Sequence, residues 1–406
     1  MKKSAFLLLL IFSIVLTKES ISCTTAIVSG KFTVDGRPLI FKHRDSGALQ
    51  NKIMYFTDGK YEYMGLVNSN DKDGKEVWAG CNSAGFAIMN SANYNMNLQD
   101  TSKLRDNEGI VMKKALQSCA SLQDFEDLLN SLPKPMGVDA NFGVLDARGG
   151  VAYYETSNYT FTKFDANDPT IAPFGYIIRT NFAFTGERDE EYGVIRFQNA
   201  EDLFHLAANS QNLSHEFILR DVSRSLRHSL TKADLGNNLP DHSADTRFKD
   251  FNDFIPRFSS ASTTVVQGIK KGEPEDLTTM WTVLGFQLSS VAVPCWIAGG
   301  AQLPKILMAD DSGKAPLCDK ALTLKKDLFP LTKGSYSKYI NQAVLVNKQG
   351  SGTLQKLGPL EKIILEQTAS KLKKWRSEGV NSAEIIRHYN WLDKTVADFY
   401  QSEFGI

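Results

Sequence analysis

The residue with most chemistry to offer is Cys23, in the stretch "TKESISCTTAIVSG" over 17–30. It stands where a polar segment gives way to a β-rich run. Three roles fit a cysteine there: an incidental thiol, a lipid-attachment point, or an N-terminal nucleophile. Lipid attachment favours a branched aliphatic residue three positions earlier, where this chain has Ser20, and a strand follows Cys23 at once in place of a flexible tether. Ser20 and Ser22 are small residues at the two positions a signal peptidase reads, so cleavage after Ser22 leaves Cys23 with a free α-amine. An α-amine titrates at about 7.7–8.0 and a thiol at about 8.5, so one residue then carries both nucleophile and base. No catalytic histidine is needed, and the six histidines are scattered.

The segment ahead of Cys23 has the form of a leader. "MKKSAFLLLLIFSIVL" joins two lysines to a short apolar run, and "TKES" ends it. That run is shorter than the roughly 20 residues of a membrane span, so residues 1–22 read as a signal peptide and 23–406 as one exported domain. No later segment reaches that length without charges, so no stable membrane span is expected in the mature chain. Lys plus Arg and Asp plus Glu are both 46, a balance that predicts no nucleic-acid partner and no anionic lipid surface. Five cysteines are too few for a disulfide scaffold; Cys295 and Cys318 are the nearest candidates for a bridge, and Cys81 and Cys119 read as buried side chains. No Cys/His cluster has zinc spacing, so neither metal nor cofactor is expected.

The elements that must position Cys23 are hairpins. "TTAIVSGKFTV" and "PLIFKHR" flank "DGRP", a turn in which Gly36 tolerates positive φ and Pro38 fixes its own. Asp58-Gly59 and Asn82 to Gly85 mark two more hairpins. Residues 107–131 carry helical spacing and stop before Pro133, 187–254 read as mostly helical, and amphipathic helices are expected from about 358. Runs of strands alternating with runs of helices favour a layered α+β domain.

"CTTAIVSGKFTVDGRPLIFKHRD" resembles the start of the N-terminal-nucleophile (Ntn) cysteine amidohydrolases: choloylglycine (bile-salt) hydrolases, penicillin V acylases and isopenicillin N acyltransferases. "WAGCNSAGFAIMNSAN", "NFGVLDARGGVAYYETS", "IIRTNFAF" and "RFSSASTTVVQG" extend the similarity over most of the chain. The resemblance implies a four-layer αββα Ntn-hydrolase sandwich that cleaves a linear N-acyl amide through a thioester on Cys23. It implies a small-molecule substrate, and release of Cys23 by signal peptidase or self-processing. Acyl transfer or dipeptide cleavage would be variants of the same chemistry.

Site residues follow from the same motifs. "KHRD" offers Asp45 to hold the α-amine and Lys42 or Arg44 as the basic partner. Asn181, with Asn90 or Asn93, would donate to the oxyanion, and Arg257 is a candidate late basic residue. In an ideal pleat Asp45 shares a face with His43, and Lys42 with Arg44, so Asp45 and the basic partner need a bulge or strand end to meet.

Overall fold

The computed structural model describes residues 22–102 and 104–406. Residues 1–21, which hold most of the expected leader, lie outside the described residues.

Gly36, at φ +73°, turns the chain between β1 (Cys23–Val28) and β2 (Leu39–Asp45), which pair antiparallel from Val28 opposite Leu39 to Cys23 opposite Arg44. Two further hairpins follow as the turn residues predict: β3 (Asn51–Phe56) with β4 (Tyr63–Asn68), and β5 (Ala79–Asn82) with β6 (Ala87–Ala92). The helical stretch expected over 107–131 is two helices, α1 (Glu108–Ser118) and α2 (Leu122–Ser131). The chain turns extended at Cys119, and Ser121 caps α2 by accepting the Asp124 N–H, a local bond that competes with helix continuation.

Strands β7 (Ala140–Leu145), β8 (Val151–Thr156), β9 (Phe161–Asp165) and β10 (Tyr176–Arg179) come next. The span 187–254 is less helical than its pattern suggests. It holds α3 (Val194–Asn209), the short α4 (His215–Phe217) with one following helical turn, and a small strand β11 (Phe248–Asp250). Its Asn-, Asp- and Gly-rich second half forms turns, because those side chains compete for backbone hydrogen bonds. The chain closes with β12 (Ser260–Gln267), β13 (Thr279–Leu284), β14 (Val293–Cys295), α5 (Pro316–Leu328), β15 (Tyr339–Asn341), α6 (Gln342–Leu345), α7 (Thr353–Glu378) and α8 (Ser382–Phe404).

Two large antiparallel sheets result, ordered β10-β1-β2-β12-β13-β14 and β3-β4-β5-β6-β7-β8-β9, and β11 pairs with β15 in a small third sheet. Alternation along the second sheet explains its two faces. Met89, Leu145 and Tyr153 join Phe41 and Val265 of the first sheet in one core, while their neighbours Ile88, Val144 and Tyr154 pack with Met112, Leu116 and Phe125 of α1 and α2. On the other side, Leu203 and Phe204 of α3, Ile364 of α7 and Leu392 of α8 belong to the core that includes the first sheet. The architecture is α+β with four layers, αββα. All five cysteines are free and buried; the Cys295 thiol donates to Met280 O and the Cys318 thiol to Leu49 O, so the bridge considered from sequence is not formed. No described helix is long and apolar enough to cross a membrane.

Candidate active site

Cys23 is the first residue of β1, and its register decides its neighbours. Directly paired residues project to the same face of a sheet, so Cys23 faces the same way as Arg44, and Lys42 shares that face two residues back. All three line a cleft of about 660 Å³, open to solvent, together with Trp78, Asn90 and Ala92 of the second sheet region. The sequence left Lys42 and Arg44 as alternatives; both lie beside Cys23.

Lys42 Nζ donates to Asn90 Oδ1 at 2.5 Å and to Trp78 O at 2.9 Å. Burial pushes its pKa down to about 8, opposed by the neighbouring Cys23 thiol. Arg44 lies over the Trp78 ring, 4.8 Å from its centroid, and donates Nη1–H to Asn51 Oδ1 at 2.8 Å. Burial lowers its pKa to about 10, so it stays cationic at neutral pH. Two cations thus stand beside the Cys23 side chain.

Asp45 and His43 lie on the opposite face. Arg257 donates from Nε and Nη2 to Asp45 Oδ2 at 2.9 and 2.7 Å, and Ser260 Oγ–H donates to Asp45 Oδ1 at 2.6 Å. A β-bulge sets this up: Ser260 pairs with Asp45 but Ser262 with Arg44, so Ala261 is the extra residue. The bulge braces the end of β2 without turning Asp45 toward the sulfur. His43, buried between Ser260 and Thr263, is pushed down to about 4 by burial and is neutral at working pH. The Asp45 backbone N–H donates to Ser22 O at 2.9 Å, so the residue braces the chain just ahead of Cys23.

With Ser22 attached, the Cys23 N–H donates to Asn181 Oδ1 at 2.9 Å. The same oxygen accepts from Ser22 Oγ–H at 2.6 Å and Arg196 Nη2–H at 2.9 Å. A guanidinium can only donate, which fixes Oδ1 on this side of the amide. The Asn181 NH2 donates instead to Ala92 O at 3.2 Å, so in this state the group expected as an oxyanion donor acts as an acceptor. The segment carrying Asn181 is held by Glu155, whose carboxylate accepts from Arg179 Nε and from the Phe184 and Thr185 backbone N–H groups.

Arg196 was not singled out from the sequence. Its Nη1 donates to Cys23 O at 2.6 Å and Thr24 Oγ1 at 2.9 Å, and burial lowers its pKa to about 9. A signal existed: Arg196 shares the face of α3 on which Asn199, Ala200, Leu203, Phe204 and Ala207 are buried, so an arginine occupies an apolar helical stripe. Gly193, at φ +82°, leaves it room; a Cβ there would run into the guanidinium.

The two asparagine alternatives separate clearly. Asn90 lines the cleft, its Oδ1 held by Lys42. Asn93 is fully buried, is not among the residues lining the cleft, and donates its NH2 to Asn141 Oδ1, Thr156 O and the Met96 sulfur. The outer cleft wall comes from the loop before α1 and from the start of that helix, including Glu108. Among the described residues, no group of three or more His, Cys, Asp or Glu side chains gathers to hold a metal.

No protein-family model matches the sequence, and no curated protein matches it. Among solved structures it is similar to an N-acylethanolamine-hydrolyzing acid amidase ortholog of Caenorhabditis elegans, with 12% identity over 60% of this chain and 92% of that one, at a TM-score of 0.38. It is similar to a conjugated bile acid hydrolase variant of Clostridium perfringens, with 11% identity over 68% and 92% of the two chains at 0.40. A penicillin V acylase of Agrobacterium tumefaciens gives 11% identity over 68% and 86%, also at 0.40. These TM-scores lie below 0.5, and the chemistry of the site stands on its own geometry.

Proposed function

We propose that this chain is an exported Ntn amidohydrolase that cleaves a linear amide through Cys23, the residue exposed when 1–22 are removed by signal peptidase or self-processing. The observation that carries the reading is the position of Cys23. It opens β1, its side chain lies in a cleft beside Lys42, Arg44 and Asn90, and its N–H already rests on a side-chain acceptor. Cys23 is 2% exposed, which supports a packed nucleophile over a lipid anchor on a free tether.

The freed α-amine takes the thiol proton, and Asn181 Oδ1 orients that amine. The thiolate attacks the amide carbonyl in the cleft, where Asn90 and the two cations offset the oxyanion charge. Collapse expels the amine, which takes the proton back from the ammonium, and leaves a thioester on Cys23. Water, deprotonated by the same α-amine, releases the acid. An amine arriving in place of water would make the reaction an acyl transfer.

The test pairs intact-mass analysis of the mature N-terminus with hydrolysis of a panel of N-acyl amides by wild type and Cys23→Ser. A mature chain that begins at Cys23 and cleaves an amide, with activity abolished in a folded Cys23→Ser protein, is the expected result. Full turnover by the serine variant, or a diacylglyceryl adduct on Cys23, would overturn the reading.

A further inference from the structure

The cleft carries one feature that the proposed reaction does not use. Glu108, in the first turn of α1, is about nine-tenths buried and lines the same cleft as Cys23. Its Oε1 accepts the Asp139 N–H at 2.8 Å, and among the described residues no lysine or arginine forms an ion pair with it. Lys42, the cation near enough for its charge to feel Glu108, spends its bonds on Asn90 and Trp78 O. The other charged groups of this wall are Asp139, half-buried, with Asp106 and Arg105 exposed at the rim. Arg105 acts on Asp139, but an exposed arginine is screened by water and does little for a carboxylate below it.

A carboxylate buried without a cation is costly, and here burial and the carboxylates of Asp139 and Asp106 push Glu108 up to about 7. Folding tolerates such a group most readily where a ligand completes it. The nucleophile end of the cleft already holds two cations, so the acidic wall is poorly suited to an anion and well suited to a positive group on the substrate.

We infer that the cleft selects amides bearing a primary ammonium group near the scissile carbonyl, that is, amino-acid-derived amides over uncharged acyl amides, with Glu108 as the carboxylate that receives the ammonium. This rests on the amidohydrolase reading of Cys23. Glu108 is the specificity-determining residue, and Asp139, whose N–H orients it, adds negative charge beside it.

Two measurements on the mature protein test the inference. The first compares kcat/KM for alanyl-p-nitroanilide and propionyl-p-nitroanilide, which differ only by the ammonium. Wild type should prefer the alanyl compound by about tenfold or more, and Glu108→Gln, which keeps the Oε1 acceptor, should erase that preference while leaving the propionyl rate near wild type. Asp139→Asn should weaken it in the same direction. The second measures modification of Cys23 by 2-aminoethyl and methyl methanethiosulfonates, followed by peptide mass. The thiolate attacks the sulfenyl sulfur, a disulfide forms and methanesulfinate leaves, so no amidase turnover is involved. Glu108→Gln should slow the ammonium reagent selectively. Equal anilide rates in wild type, a Glu108→Gln variant that loses both substrates in parallel, or an unchanged reagent ratio would overturn the inference. If neither anilide is cleaved yet the reagent ratio falls in Glu108→Gln, the charge selectivity stands and the amidase reading fails.

Discussion

Asn181 Oδ1 lies 2.9 Å from the Cys23 backbone nitrogen and 2.9 Å from Arg196 Nη2, so one side-chain oxygen ties the nucleophile's N–H to a buried guanidinium. The order of two substitutions tests which end of this amide matters. Asn181→Asp keeps an acceptor facing Cys23 and Arg196; Asn181→Ala removes it and leaves buried donors unpaired, at about 1–3 kcal/mol. Asn181→Asp is therefore expected to retain more turnover and a higher Tm than Asn181→Ala. Steady-state kinetics with thermal melts decide it. The reverse order in turnover would return Asn181 to the role expected from its motif, a donor to the oxyanion that a carboxylate would repel.

Gly193 tests Arg196 indirectly. Its φ of +82° is one that residues with a Cβ adopt at a cost of roughly 1–2 kcal/mol, and the added methyl would meet the guanidinium. Gly193→Ala should lower stability by at least that amount and also reduce turnover, because Arg196 would be displaced from Cys23 O and Thr24. A melt shift with unchanged kcat would mean that Arg196 braces the fold alone.

The hairpins were readable because their signals are local. Asp35-Gly36, Asp58-Gly59 and Asn82 to Gly85 each name a turn, and the register that puts Cys23 opposite Arg44 grows from the first of them. The choice between Asn90 and Asn93 was not readable. They stand three positions apart, which puts them on opposite faces of an extended chain, and β6 ends at Ala92 between them, so Asn90 lies within the strand and Asn93 beyond it. The pleat already set Asp45 on the face of His43, away from Lys42 and Arg44; what no local pattern announces is its partners there, Ser260 and Arg257, more than two hundred residues away. Arg196 was hidden for a related reason: the pattern that would expose it is a helix stripe, whose partner is a strand end far back in the chain.

Asp45 and Arg257 should behave as a coupled pair. The Asp45 side chain is fully buried and that of Arg257 is 18% exposed, so solvent screens the contact little. A double-mutant cycle with Asp45→Asn and Arg257→Met is expected to give a coupling energy of about 1.5–3 kcal/mol in chemical denaturation. Asp45→Asn should also lower turnover, since the Asp45 segment braces the residue next to Cys23. Additive effects would place the two side chains apart in solution.

Lys42 should set the alkaline limit of activity. Burial is the main cause that brings its pKa down to about 8, against about 10.4 for a free lysine. Below pH 8 both the native and unfolded chains hold the proton, and the native state bears the full cost of a buried cation. Between about 8 and the unfolded value the unfolded chain binds more protons, so this residue's contribution makes stability rise with pH across that window. Activity runs the other way, because the cation beside the Cys23 thiolate is lost as pH passes 8. On an uncharged amide, kcat/KM is therefore expected to fall above about pH 8 with no matching loss of Tm from this residue. Lys42→Arg keeps a positive charge through the window and should move the limb to higher pH. Lys42→Met removes the charge at every pH and should lower kcat/KM by about a hundredfold, without a limb near 8. A pH–rate profile of the three proteins decides it: if Lys42→Arg leaves the limb in place, the titrating group is not Lys42, because an arginine there could not lose its proton at that pH.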